Sequence, residues 1–143
     1  MRVRECVFIG LLAVGAMTAV AAPASARNGA PCDSSAAACL DLSGNQAWLM
    51  NGGAVTYGPV PVTHGRPGYE TPPGTFYVNF KDANFWSTAY NAPMPYSVFF
   101  NGGIAFHEGS LSDLSHGCVH LSHAAAVTFF NALSPGDVVE VVS

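Results

Sequence analysis

The sequence predicts a mainly β domain, an antiparallel sandwich or partial barrel with one helix. Short apolar runs alternate with Asn- and Gly-rich turns along most of the chain. Helical apolar spacing occurs convincingly in one segment, residues 124–133, which follows the most reactive cysteine motif. Residues 27–143 form a chain of the size that buries one hydrophobic core, so we expect a single domain.

Residues 1–26 have the features of a secretory signal peptide. Arg2 and Arg4 precede an apolar stretch over residues 7–20, and Ala24-Ser25-Ala26 forms an A-x-A cleavage site. The apolar stretch is shorter than a transmembrane helix requires. We therefore expect a secreted protein of the cell envelope, in the periplasm or cell wall, with no stable membrane span after signal cleavage.

The charged residues argue against one class of partner. The chain has 5 Lys and Arg against 9 Asp and Glu, for a formal net charge of −4. No basic residues are clustered, so the sequence predicts no nucleic-acid binding.

Signal cleavage would remove Cys6, and the three remaining cysteines leave one thiol without a partner. Residues 27–37 are rich in small residues and predict a flexible N-terminal tail before a domain over residues 38–143. Cys32 and Cys39 flank a short loop and predict a disulfide in an oxidising compartment. Cys118 is then a free thiol in an exported protein. A buried structural thiol is the alternative, but its Ser, His and Gly neighbours favour a reactive one.

Hairpins account for the first half of the domain. Residues 40–42 and 47–50 are short apolar runs separated by a Ser-Gly-Asn turn, and residues 54–57 follow an Asn-Gly-Gly turn. Val60 and Val62 alternate around Pro61, which is typical of an edge strand. Residues 64–74 are rich in Gly and Pro and predict a loop.

The second half contains the longest connection and the helix. Residues 75–80 predict one strand, and residues 83–95 a long connection that forms either a substrate wall or lid, or an aromatic-packed surface loop. Residues 96–100 and 104–107 predict a hairpin that ends at His107. Ser122 is the expected N-cap of the helix, and residues 137–142 the final strand. Ser134-Pro135-Gly136 ends the helix between them.

The motif Ser115-His116-Gly117-Cys118 is the most reactive part of the sequence. Only a few per cent of an unperturbed thiol is thiolate at neutral pH, and an imidazole increases nucleophilicity as a base or as an ion-pair partner. His116 lies too close along the chain for good geometry, so we favour His107 as the base. Gly117 leaves room for a substrate carbonyl, and the backbone N–H groups of Gly117 and Cys118 are candidate oxyanion donors.

A zinc site is the competing interpretation of the same region. Its candidate ligands are His107, His116, Cys118, His120 and His123. No C-x-x-C or H-E-x-x-H spacing is present, so we predict no metal and keep a zinc hydrolase as an alternative. His123 alone fits the first turn of the helix, and His64 fits a loop.

At these residues the chain resembles the L,D-transpeptidases, the YkuD-type catalytic domain. His107, the Ser115-His116-Gly117-Cys118 motif, and the following helix and strand match in order. Upstream, Thr71-Pro72-Pro73-Gly74-Thr75-Phe76 is similar to the TP-x-G-x-F segment of that family, and residues 40–50 to its opening hairpin. The resemblance covers about residues 38–143.

The resemblance implies an exported cysteine L,D-transpeptidase of peptidoglycan. Cys118 would attack the stem peptide before its terminal D-alanine, and a second stem would resolve the thioester to a 3→3 crosslink. His107 would be the base, and Ser115, His116 and Gly117 would shape the site. Such enzymes use no metal or other cofactor, and carbapenems commonly acylate them. Water as acceptor would make the protein an L,D-carboxypeptidase.

Two positions depart from the family pattern. His120 lies where Asn or Arg is common, and Glu108 follows His107 where Gly or Ser is common. We expect both, together with Tyr96, to bind substrate. A non-catalytic wall-binding module of the same fold is the remaining alternative.

Overall fold

Two β-sheets and one α-helix make up residues 29–143, the part of the chain that this computed structural model describes. The predicted signal peptide lies outside these residues. In chain order the elements are β1 (Ala38–Asp41), β2 (Gln46–Asn51), β3 (Ala54–Pro61), β4 (Gly74–Tyr77), β5 (Phe80–Ser87), β6 (Ala92–Asn101), β7 (Ile104–Glu108), β8 (Val119–Leu121), α1 (His123–Ala132) and β9 (Val138–Val142).

Both sheets are mixed. One has the strand order β3-β2-β1-β9-β4 and the other β5-β6-β7-β8. The pairs β1–β9 and β7–β8 are parallel, and the other paired strands are antiparallel. The predicted class, mainly β with one helix after the cysteine motif, is confirmed. The parallel pairs were not predicted, because a parallel pair joins strands that a local hairpin pattern does not connect.

The main hydrophobic core contains side chains from both sheets and from the helix. Leu40 and Val141 come from one sheet, Val98 and Phe106 from the other, and Phe129 from α1, all buried in one cluster. The helix therefore packs against the sheets by its apolar residues, and burial of this kind contributes about 25 cal/mol per Å² of apolar surface.

Several local predictions are confirmed. The three hairpins form as β1–β2, β2–β3 and β6–β7, and β3, which contains Pro61, is an edge strand. Ser122 caps α1, because its side chain accepts a hydrogen bond from the Ala125 N–H.

Two predictions in the middle of the chain are wrong. Residues 75–80 are not one strand: β4 ends at Tyr77 in one sheet, and β5 begins at Phe80 in the other. Residues 83–95 are not a long irregular connection, since β5 and β6 pair through most of that range. In both places the chain is extended, and only pairing over a distance decides which sheet it joins.

The predicted tail is packed rather than free from Ala30 onward. Ala30, Cys32 and Ala36 are buried in a small cluster with Trp48 and Met50. Cys32 and Cys39 form the predicted disulfide, with their Cα atoms 5.8 Å apart. Small side chains let this segment lie close to the sheet, which its composition alone did not indicate. No helix in residues 29–143 is long and apolar enough to cross a bilayer.

Candidate active site

The parallel strands β7 and β8 bring the candidate base and the candidate nucleophile together. His107 lies directly opposite His120, and Cys118 immediately precedes β8. Phe106 and Val119 point into the main core, and side chains alternate along a strand. His107, Cys118 and His120 therefore share the opposite face of the sheet. We call these three residues the floor.

The floor opens into a cavity of about 680 Å³. The β5–β6 hairpin forms much of one wall, so part of residues 83–95 lines the cavity as a paired hairpin. Apolar side chains dominate the lining, which includes Phe85, Pro93, Met94, Phe99, Ile104 and Leu114. A cavity of this size, mostly apolar with a few polar groups, is typical of a ligand site.

His107 is held as a neutral imidazole with one nitrogen available. Its Nδ1 lies 2.7 Å from the backbone oxygen of Glu108, which can only accept, so Nδ1 carries the proton and Nε2 has the free lone pair. Burial lowers the pKa of His107 to about 4; the Glu108 carbonyl opposes this shift, and neighbouring His120 adds to it. At neutral pH the ring is therefore ready to accept a proton.

Cys118 rests as a thiol. Its half-buried Sγ lies 3.4 Å from the Gly103 carbonyl oxygen, to which the thiol donates. Burial raises the pKa of this thiol, and a hydrogen bond from the Ala105 backbone partly offsets the change. A neutral thiol and a neutral imidazole on the same face of the sheet favour general-base activation during attack over a preformed thiolate–imidazolium pair.

A tight turn fixes the position of Cys118. Gly117 has φ of +122°, a conformation that favours glycine. The buried Ser115 Oγ accepts from the Gly117 N–H at 3.0 Å and donates to the Cys118 carbonyl at 2.5 Å. Ser115 and Gly117 thus shape the turn that presents the Cys118 thiol.

The same contacts change the predicted oxyanion hole. Because the Gly117 N–H already donates to Ser115, it does not point freely at an oxyanion, and the prediction that Gly117 supplies a donor is wrong. The Cys118 N–H remains the candidate donor. A predicted backbone donor is lost here because a side chain two residues earlier reaches it first.

Thr71 is a supporting residue that the sequence did not single out. It is fully buried, donates from Oγ1 to the Gly117 carbonyl at 2.6 Å, and accepts from the Gly65 N–H at 3.0 Å. Its two hydrogen bonds therefore connect the loop over residues 64–74 to the cysteine turn. The signal was present in the TP segment that carried the family resemblance.

His116 belongs to a second group of side chains at the edge of the cavity. Its Nε2 lies 2.6 Å from Arg66 Nη2 and must accept, since a guanidinium only donates. The Tyr90 ring stacks on it at 4.5 Å, and the Tyr69 ring meets it edge-on at 4.6 Å. We call Arg66, Tyr69, Tyr90 and His116 the rim. The sequence singled out only His116 among them.

His120 lines the cavity beside the candidate base. Its ring centre lies 5.0 Å from that of His107. Its Nδ1 lies 2.9 Å from the Ser110 carbonyl oxygen and 3.0 Å from Thr63 Oγ1. His120 thereby orients the segment between His107 and Cys118, which the sequence did not predict.

Glu108 and Tyr96 differ from expectation. The Glu108 carboxylate pairs with His123 Nδ1 at 3.1 Å, so its carbonyl, and not its carboxylate, contacts His107. Tyr96 does not line the cavity: it packs against His123 and Phe130 of the helix, with ring centres 5.8 and 5.7 Å away. Its φ of +56° interrupts the alternation of β6, and its contact with substrate stays a prediction.

The two remaining histidines, His64 and His123, lie outside the candidate site and have their own contacts. His123 is the first residue of α1 and is exposed, as predicted, while His64 contacts the Leu42 carbonyl. Within residues 29–143, no three His, Cys, Asp or Glu side chains form a group that could hold a metal ion. His116 in particular accepts a hydrogen bond from Arg66 at its Nε2.

The fold and the cysteine–histidine site together define a class of protein. The chain belongs to the L,D-transpeptidase catalytic domain family, YkuD, whose sequence model matches residues 35–141. No curated protein sequence matches the chain.

Solved structures agree with this family. An L,D-transpeptidase from Stackebrandtia nassauensis is 31% identical with a TM-score of 0.71, over 74% of this chain and 54% of that one. One from Mycobacterium tuberculosis H37Rv is 25% identical with a TM-score of 0.67, over 73% and 56%. A third, solved in complex with imipenem, is 26% identical with a TM-score of 0.65, over 71% and 56%. The chain therefore spans about half the length of these relatives.

Proposed function

We propose that the protein is an exported cysteine L,D-transpeptidase that acts on peptidoglycan stem peptides and forms 3→3 crosslinks. One observation carries the proposal: His107 and Cys118 share one face of two adjacent parallel strands and open into one cavity. The family, and the imipenem complex of a relative, support the same chemistry.

In the first step, Cys118 Sγ attacks the carbonyl that precedes the terminal D-alanine of the donor stem. The thiol proton moves to His107 Nε2, the free nitrogen of the ring. The C–S bond forms, the C–N bond to D-alanine breaks, and His107 returns the proton to the leaving amine. A thioester then joins the donor to Cys118.

In the second step, the side-chain amine of a second stem attacks the thioester. Its proton moves to His107, a C–N bond forms, and the C–S bond breaks with return of the proton to Sγ. Water in place of the amine gives the L,D-carboxypeptidase reaction.

Two features support export to the cell envelope. The sequence begins with a predicted signal peptide, and Cys32 and Cys39 form a disulfide, which persists in oxidising compartments. Cys118 is the free cysteine among residues 29–143.

Carbapenem acylation tests the nucleophile. Intact-protein mass spectrometry after incubation with imipenem should show a single adduct on the wild type and none on Cys118→Ala. The double variant Cys32→Ser, Cys39→Ser is the matched control and should keep the adduct. An unchanged adduct on Cys118→Ala would overturn the proposal.

Incubation with sacculi that carry tetrapeptide stems tests the acceptor. Crosslinked dimers identified by mass spectrometry support transpeptidation, whereas tripeptides alone indicate the carboxypeptidase. Binding to sacculi with unchanged muropeptides would indicate a wall-binding module. Full activity in the presence of a chelator argues against a zinc hydrolase.

A further inference from the structure

Among residues 29–143, Arg66 is a cation with no carboxylate partner, and it contacts His116 at the edge of the cavity. The nearest acid along the chain, Glu70, accepts a hydrogen bond from the Gly68 N–H instead. The ion pair found within residues 29–143 joins Glu108 and His123. An exposed guanidinium without an acidic neighbour, beside a ligand-sized cavity, is available to an anionic ligand.

The position of Arg66 is fixed from three sides. Its Nη2 donates to His116 at 2.6 Å, its guanidinium lies 4.9 Å from the centre of the Tyr69 ring, and its backbone N–H donates to the Ser115 carbonyl at 2.9 Å. One of the five N–H groups of the guanidinium thus has a protein partner. The remaining donors are available in a side chain that is already oriented, which reduces the entropic cost of binding.

Arg66 is a cation in a chain whose formal net charge is negative. The chain has a formal net charge of −4, so its overall field disfavours an anionic substrate. Lys81 is the only other Lys or Arg in residues 29–143, and it donates to the Phe130 carbonyl at the end of the helix. Among the residues that the structure describes, Glu108 is the one acidic residue that lines the cavity, and its carboxylate pairs with His123.

We infer that Arg66 binds the C-terminal carboxylate of the donor peptide and thereby selects the terminal residue for release. This inference rests on the proposed function. In the donor, only the amide nitrogen and one carbon atom separate the scissile carbonyl carbon from that carboxylate carbon. On the protein, Arg66 contacts His116, which is two residues from Cys118 and lines the cavity. A carboxylate anchored at the rim places the preceding carbonyl toward the floor.

This role gives the enzyme its preference for a chain end. An internal peptide bond has no carboxylate at this position and leaves the guanidinium without a ligand. The fork of donors in an arginine suits a carboxylate better than the ammonium of a lysine does. Arg66 is therefore a specificity residue, distinct from the groups that move protons at Cys118.

Two matched donors test the inference: a stem tetrapeptide with a free C-terminal carboxylate and the same peptide as its C-terminal amide. Acylation of Cys118 is followed by mass spectrometry on the intact protein. For the free acid, Arg66→Gln should lower kcat/KM about 10- to 100-fold, the usual range for loss of a charge-assisted hydrogen bond. For the amide, which the wild type should use poorly, the same substitution should change kcat/KM less than about threefold.

Control variants separate charge from structure. Arg66→Lys should recover part of the activity on the free acid, and Lys81→Gln, which removes the other cation, should retain wild-type rates on both peptides. Alkylation of Cys118 by neutral iodoacetamide should be equal in the wild type and in Arg66→Gln, which shows that the floor is intact.

The outcomes distinguish this inference from the proposed function. Equal losses on the acid and the amide, or equal use of both by the wild type, would overturn the role of Arg66 and leave transpeptidation standing. Failure of the wild type to acylate with either peptide would overturn both.

Discussion

The floor and the rim of the cavity are built in different ways. His107, Cys118 and His120 of the floor lie on or next to paired strands, and backbone carbonyls hold each of them. In the rim, His116 and Tyr90 meet through their rings, and Tyr90 is 57% exposed. Contacts to backbone carbonyls therefore hold the floor, whereas contacts between exposed side chains hold the rim.

This difference separates reactivity from selectivity. Burial shifts the pKa values of His107 and Cys118 at the floor, so proton transfer depends on the fold itself. Contacts in the rim are exposed, and exposed charge and ring contacts contribute less free energy. We expect substitutions at the floor to affect the chemical step, and substitutions at the rim to affect substrate binding.

The largest expected effect comes from the base. His107→Gln keeps a polar side chain in place of the imidazole but removes the proton acceptor. It should slow acylation of Cys118 by imipenem about 10²- to 10⁴-fold, the usual contribution of general acid–base catalysis. Stopped-flow or mass-spectrometric rates at pH 7 measure this loss, with thermal unfolding as a check that the variant is folded.

His120→Asn is the matched control for the base. This variant removes the other imidazole of the floor. It should retain more activity than His107→Gln, because the His120 Nδ1 is already hydrogen-bonded to Thr63 and to the Ser110 carbonyl. If His120→Asn were the more severely impaired of the two, the base would be His120.

The next effect concerns the pH dependence of stability. The folded-state pKa of His107 is about 4, below the ordinary value of 6.5, so below pH 6.5 the unfolded chain binds a proton that the folded chain does not. The free energy of unfolding is therefore unaffected by His107 protonation above pH 6.5. It decreases by up to about 3 kcal/mol as the pH falls from 6.5 towards 4.

Urea unfolding between pH 4 and 7.5 measures this contribution. The wild type should lose more stability than His107→Gln as the pH falls, and the two curves should run parallel above pH 6.5. Parallel curves over the whole range would show that His107 is not buried as a neutral ring.

The smallest effect is expected at the rim. Tyr90→Ala removes the ring that stacks on His116 and should lower kcat/KM for the donor peptide about two- to tenfold, through KM. Tyr77→Ala is the matched control, since Tyr77 is also 57% exposed and does not line the cavity. A loss as large as that of His107→Gln would mean that rim and floor act as one unit.

Local sequence patterns predicted the elements better than their assembly. Turn residues located three hairpins, and Ser122 and the Ser-Pro-Gly stop located the helix, because these signals act over a few residues. The extended residues 75–87 were harder to assign. The chain passes there from one sheet to the other at residues 78–79 without a turn signal, and periodicity shows only that it is extended.

The residues of the candidate site also differ in whether local sequence patterns predicted them. The cysteine motif and the strand-end position of His107 were readable from sequence, and their roles as nucleophile and base stay predictions. The rim was not readable, because Arg66 and His116 meet across 50 residues of chain. The Gly117 donor was predicted wrongly, since sequence does not show which backbone N–H groups side chains occupy.

The sequence by itself therefore determined the β-rich class, the disulfide, the helix and the residue types available for thiol chemistry. These depend on composition, spacing and turn chemistry within short segments. Tertiary structure alone decided that Thr71 braces the cysteine turn, that Tyr96 packs against the helix, and that Arg66 contacts His116 with no carboxylate partner among residues 29–143. Such facts depend on burial and on contacts between distant segments, which form only when the sheets assemble.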